Sequence, residues 1–376
     1  MARRADVPTV SRAQVLAHRV VAHGLDRTAR DADDLAVVDL GLQDSPAGAA
    51  VAALAARLPG GPARAPAVPG DWLLVWSVRG APHHHRRSDL QALARALWPA
   101  DEADAAARIA GTSPEMRAAG LGALGALRAT AEAMAAVVTG PTVKGDASTL
   151  VTAAAPEGCS AWCRGCQVVH VQDQLMRLAA LPAGLSIDPG TSPPVLRPLS
   201  RWAGVPAGHE GGGAVIDAYL RVHGPATPGD VAAYLQTTQR AVKPDWPDGL
   251  AEVRVGGRRA WLPEDRLDDL LGAPAPDLVR LLPRSDPWLL ARDRELVVPG
   301  KAHRKALWPV LGAPGGVLVD GEVVATWRTR AAGGKLDIVV APFGTLPARV
   351  RRAVDDEAAL VAAGRGAVDV RVRYGD

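Results

Sequence analysis

The segment from Ala214 to Leu262 constrains the fold more tightly than any other part of the chain. Ala214 to His223 carries apolar residues at helical spacing and stops at Gly224. Thr227-Pro228-Gly229-Asp230 then opens a second helix, with threonine as N-cap, proline at the first helical position and an acidic third residue. Val231, Ala232, Tyr234 and Leu235 form its apolar side. A short third helix from about Thr238 holds Gln239, Arg240 and Lys243, and Pro244 limits its length. Val253 to Leu262 reads as a hairpin turning on Gly256-Gly257, because a two-residue turn needs positive φ at both positions. Three helices followed by a basic wing predict a winged helix-turn-helix, placed at 213–275.

The chain's 376 residues predict two to four compact units. Near the start, Ser11-Arg12-Ala13-Gln14 is a capping box, and its helix turns Val15, Leu16, Val20 and Val21 toward a core. Helices over 31–42 and 46–58, a Pro59-Gly60-Gly61-Pro62 loop and a strand over Asp71 to Arg79 repeat the helix-then-strand order. A largely helical region from 89 to 139 ends at Gly140-Pro141, and a segment holding all three cysteines follows. Ser186 to Gly213, dense in proline and glycine, predicts a linker. Beyond 276 the pattern changes to strands at Val317 to Val319, Glu322 to Arg330 and Leu336 to Ala341. They are separated by Asp320-Gly321 and Gly333-Gly334. A helix over 347–363 and a strand over 368–372 complete an α+β element at 276–376.

Composition excludes several classes. Hydrophobic residues make up 48% of the chain, but no run of about 18 apolar residues exists to span a bilayer. Met1 to Asp6 leads straight into a capped helix with no apolar core segment of a secretory signal, so a cytoplasmic protein is expected, with no membrane partner. Three cysteines within eight positions do not make a disulfide framework. The net charge of +3 permits nucleic-acid binding through a local patch without requiring it.

Several segments, in order, resemble the winged-helix family of the AlkZ/YcaQ crosslink-repair DNA glycosylases. They are Gly41-Leu42-Gln43, Arg79-Gly80-Ala81-Pro82-His83, Tyr219 to Pro228, Leu281 to Trp288 with Arg292-Asp293-Arg294, and Val319-Asp320-Gly321 with Thr326-Trp327-Arg328. The resemblance implies an α+β fold of tandem winged-helix units with a C-terminal antiparallel β element. It implies units at 8–100, carrying the catalytic loop, at 101–200, carrying the cysteines, and at 213–275. It also implies double-stranded DNA as partner, a monomer, no required cofactor, and hydrolysis of the N-glycosidic bond of alkylated or crosslinked purines.

Family members carry Gln-x-Gln or Gln-x-Asp in the active loop. Gln43 matches the first position; the second falls on Ser45, and Asp44 stands where the family is usually apolar. An alkylated purine is a good leaving group, so the enzyme must hold a water and offset oxocarbenium charge. An amide serves the first need and a carboxylate both. Gln43, Asp44 and Ser45 are therefore the catalytic candidates. Ser45-Pro46 also reads as an N-cap followed by proline at the first helical position.

Three further groups stand out. Arg79, His83, His85, Arg86 and Arg87 read as a basic strand tip contacting DNA, as a His83/His85 metal pair, or as a solvated loop. Arg240, Lys243, Arg254, Arg258 and Arg259 are the phosphate contacts expected of a recognition helix and wing. Cys159-x3-Cys163-x2-Cys166-x3-His170 matches a structural zinc site of three thiolates and one imidazole, and equally a set of small packed hydrophobes. A non-catalytic DNA-binding regulator or lesion sensor remains the alternative to an enzyme, and a protein-interaction module is a third reading.

Overall fold

The computed structural model describes residues 7–60, 66–332 and 334–375. It is a mixed α+β chain that divides into two compact units. One is drawn from residues 1–69, 217–230 and 247–376, the other from 70–216 and 231–246. Met1 to Asp6, Gly61 and Pro62 of the predicted loop and Gly333 of the predicted turn lie outside the described residues.

In the second unit, the strands run in the order Pro82–Arg86, Trp72–Trp76, Leu185–Ile187, Val195–Pro198 and Thr142–Val143, each antiparallel to its neighbour. Helices Ala123–Val137 and Asp173–Ala180 share a core with this sheet, in which Leu127, Met134, Leu175 and Met176 meet Leu74, Trp76, Leu185 and Leu196. The predicted linker at 186–213 is partly sheet, with Leu196 fully buried and several other positions hydrogen-bonded to the unit. Trp202 Nε1 donates to the Pro182 carbonyl, and Arg128 donates to the carbonyls of Pro206 and Ala207. Proline and glycine mark these turns correctly, but the short strands between them were hidden by the same composition.

In the first unit, Val279–Leu282, Gly315–Val319, Glu322–Ala332 and Lys335–Pro342 form an antiparallel meander. The final strand, Asp369–Tyr374, pairs with Lys335–Pro342 in parallel, delivered by the crossover helix Ala348–Gly364. That helix packs Val350, Val354, Ala358 and Val361 against the sheet. The predicted turn at Asp320-Gly321 has φ of +50° and +85°, as a two-residue hairpin requires.

The predicted winged-helix elements appear in order: Gly212–His223, Pro228–Leu235, Gln239–Val242, and the hairpin Leu250–Val255 with Arg258–Pro263. The Asp230 carboxylate accepts from the Thr227 backbone and hydroxyl, while the Asp230 N–H donates to the Thr227 hydroxyl, a reciprocal cap. Gly256 and Gly257 both have positive φ. The hairpin gains a third strand that the pattern did not announce, because Thr9–Val10 pairs in parallel with Arg254–Val255. A two-residue strand is too short for alternation to reveal.

Candidate active-site loop

Residues 31–42 do not form the expected single helix. Two 3₁₀ turns, Ala32–Asp34 and Ala36–Leu40, are separated by Leu35 in extended conformation, and Leu42–Gln43 is already strand. Asp31 caps the first turn reciprocally with Asp34, which supports a tight short turn and not a long helix. Gly41 ends the second with φ of +78°, a conformation that favours glycine.

The next helix runs Ala49–Ala55 and begins three residues later than expected. Gly48 is its N-cap residue, has left-handed φ and offers no side chain. The cap comes from upstream: the Asp44 carboxylate accepts the Ala50 N–H at 3.0 Å. Ser45-Pro46 is therefore not the cap-and-first-turn pair that the sequence suggested. The bond is cis, and both residues precede the helix. Gln43, Asp44 and Ser45 are half-buried, while Leu42 on one side and Ala49 on the other are in the core.

Three consecutive residues from a distant part of the same unit hold this loop. Arg284 donates through Nε to the Ser45 carbonyl at 3.1 Å and lies 3.4 Å from the Ser45 hydroxyl. The Ser285 hydroxyl donates to the Gln43 carbonyl at 3.2 Å. Asp286 takes both ends of the Arg57 guanidinium, at 2.7 and 2.8 Å, with neither side chain exposed. Arg57 further donates to the carbonyls of His23 and Ala53, which fixes the end of the Ala49–Ala55 helix. A fully buried pair of this kind specifies geometry, since leaving either charge alone costs about 3–5 kcal/mol. Leu281 to Trp288 carries part of the family resemblance, but nothing in the sequence gives Arg284, Ser285 and Asp286 a role. Their partners lie more than two hundred residues away, and no local spacing reports that.

The histidine strand is placed differently from the expected basic tip. His83, His84 and His85 lie on Pro82–Arg86 and are all buried. His83 and His85 share the Ser77 hydroxyl, at 3.0 and 2.9 Å, and His83 Nδ1 also lies 2.9 Å from the Ala81 carbonyl. A consistent network has His83 Nδ1–H donating to the carbonyl and to the serine oxygen, and the serine hydroxyl donating to His85 Nε2. Burial pushes the His83 imidazole well below the usual range and His85 down to about 3, so both are neutral. Buried neutral rings do not serve as surface phosphate contacts, and the rings meet over serine rather than over an ion site.

The remaining cations divide. Arg79 donates to the Tyr234 carbonyl at 2.7 Å and stacks 4.9 Å over that ring. Arg86 lies 3.6 Å from Asp89, and exposed Arg87 donates to the Ser200 hydroxyl at 2.6 Å. Arg240 and Lys243 are exposed in one unit, Arg254, Arg258 and Arg259 in the other. Arg259 is paired with Glu252.

Of the four metal-ligand candidates, the structure brings together three. Donor atoms of Cys163, Cys166 and His170 lie within 4.8 Å of one another. Cys159 is fully buried, with its thiol 3.7 Å from the Ala126 carbonyl, inside the core of the second unit. The Cys166 backbone N–H beside its sulfur brings Cys163 down to about 7, while hydrogen bonding with Cys163 moves Cys166 up.

The chain is similar to known proteins in three comparisons. A family model described as DNA glycosylase AlkZ-like matches residues 32–363. An interstrand DNA cross-link repair glycosylase from Streptomyces sahachiroi is 32% identical over 181 residues, which are 46% of this chain and about half, 47%, of that protein. The solved structure of the Streptomyces sahachiroi DNA glycosylase AlkZ is similar across 98% of this chain and 100% of its own. The TM-score is 0.72 and the identity 24%, which extends the shared fold over the full length. With residues 32–363, most of the chain, matched by the family model, the protein belongs to the AlkZ-like DNA glycosylase family.

Proposed function

We propose that this protein is a monofunctional DNA glycosylase that hydrolyses the N-glycosidic bond of alkylated or crosslinked purines in double-stranded DNA. The observation that carries the reading is the immobilised loop. A residue that positions water must itself be positioned, and Gln43 has its own carbonyl held by Ser285 while the next two residues are held by Ala50 and Arg284.

In this reading the Gln43 amide orients the attacking water. A cationic N7- or N3-alkylated purine departs as the C1′–N bond breaks. The water then adds to C1′, giving an abasic sugar and free base, and its proton passes to solvent. Asp44 places negative charge beside the developing oxocarbenium ion. One of its oxygens accepts from the helix N-terminus, which fixes the carboxylate. Ser45 supplies a hydroxyl where the family has an amide or a carboxylate. No cofactor takes part in this chemistry.

The tandem winged-helix organisation, with units at 8–100, 101–200 and 213–275 and a β element at 276–376, is part of the same proposal, as are a monomeric state and a cytoplasmic location. Exposed Arg240, Lys243, Arg254 and Arg258 supply sequence-independent phosphate contacts, with Arg87 and Arg259 sharing their charge with neighbours in the protein. A second reading, a DNA-binding lesion sensor without chemistry, is favoured by one observation: the second motif position is Ser45, and Arg284 engages it.

The test incubates the protein with duplex DNA carrying N7-methylguanine or a nitrogen-mustard crosslink and measures abasic sites by alkaline cleavage. The proposal expects product from at least one substrate, and binding that weakens linearly in log affinity against log salt. Salt-sensitive binding with no product from either would leave the sensor reading in its place.

A further inference from the structure

We propose that the hairpin Ser160–Cys163 with Val168–Val171 carries a three-ligand zinc site at its tip, formed by Cys163, Cys166 and His170, with the fourth coordination position open to solvent. The hairpin's register builds the site. Cys163 pairs with Val168 and Ala161 with His170, so alternation puts Cys163 and His170 on one face as a diagonal pair. Diagonal neighbours lie within reach of each other's side chains, and the residue opposite His170 is alanine, which leaves room between them. Cys166 enters from the turn. The Gln167 N–H donates to the Cys163 carbonyl at 2.8 Å, and Gln167 has φ of +56°, which folds the chain back over Cys163. The result is three soft or borderline donor atoms within 4.8 Å of one another.

One further feature suits these groups to a metal rather than to packing. His170 Nδ1 lies 2.6 Å from the Val171 carbonyl, so Nδ1–H donates there and Nε2 is the nitrogen with a free lone pair. That backbone arrangement fixes the tautomer of zinc-bound histidines. Packing does not explain the cluster, because Cys166 is exposed and Cys163 and His170 are half-exposed. Cys159, which does pack, stands apart in the core. Two thiolates and one imidazole select zinc over hard cations, and water fills the remaining tetrahedral position. This site is independent of the glycosylase chemistry and does not rest on it.

The experiment measures zinc in the purified full-length protein by elemental analysis, then follows cobalt(II) titration of the zinc-stripped protein by its thiolate charge-transfer absorption. The expected result is about one zinc per chain, as a single mononuclear site requires, and a tetrahedral cobalt spectrum. Cys166→Ser and His170→Gln should each weaken cobalt binding by ~100-fold or more, since even outer-shell changes cost 10–100-fold. Cys159→Ala should leave it unchanged. Circular dichroism on each variant confirms that it is folded. A protein that binds neither metal, a Cys163–Cys166 disulfide persisting under thiol reductant, or binding that survives Cys166→Ser would overturn the proposal. Loss of binding in folded Cys159→Ala would overturn its three-ligand form.

Discussion

Asp44 shows how one residue can carry both a structural and a chemical assignment, and how substitutions separate them. Its carboxylate caps the Ala49–Ala55 helix at Ala50. Asparagine caps helices about as well as aspartate, whereas alanine cannot, so Asp44→Asn should keep the thermal midpoint and Asp44→Ala should lose ~1 kcal/mol. If the charge also offsets oxocarbenium character, excision by Asp44→Asn falls despite the intact fold. Equal loss of stability in both variants would remove the cap from the account. At this scale the sequence was partly legible. Thr227 was found by its cap chemistry. Asp44's partner was not, because a cap delivered across Ser45 to Gly48 follows no standard spacing. Arg284, Ser285 and Asp286 were visible as a run but silent as contacts.

Among elements, the strand Pro82–Arg86 is pH-sensitive, and the sign can be worked out. Unfolded, each imidazole takes a proton near 6.5; folded, His85 resists until about 3 and His83 is likewise depressed. The unfolded chain therefore binds more protons below about 6.5, and stability falls with falling pH until the folded group titrates. Each ring contributes up to about 1.4 kcal/mol per pH unit within that window. Urea unfolding of the whole chain between pH 7 and pH 5 should show the midpoint dropping. His85→Gln, whose amide can still meet Ser77, should reduce the proton uptake on unfolding by about one. An unchanged slope in the variant would contradict the buried neutral assignment. Elements with strong local chemistry were legible in advance. The capping box at Ser11 and Gln14, the Gly256-Gly257 and Asp320-Gly321 turns and the helix Ala348–Gly364 all lie within a residue or two of expectation. Elements that depend on distant partners were not. Val195–Pro198 and Thr9–Val10 exist because a neighbouring strand pairs with them, and His83 to His85 read as a basic tip although all three are buried.

For the whole molecule, the family is fixed by the match over residues 32–363, while the activity rests on a loop that departs from the family pattern at one position. On the proposed reading that loop, clamped by Ser285 and followed by a helix tied through Arg57 to Asp286, keeps the chemistry. The most direct measurement is single-turnover excision of N7-methylguanine from duplex DNA by the native protein and by Gln43→Ala, at saturating protein and with binding measured in parallel. The account predicts abasic product from the native protein and a rate at least ~100-fold lower in the variant at unchanged affinity, the scale of a lost proton-transfer or water-orienting group. A variant that excises the base at the native rate would contradict it.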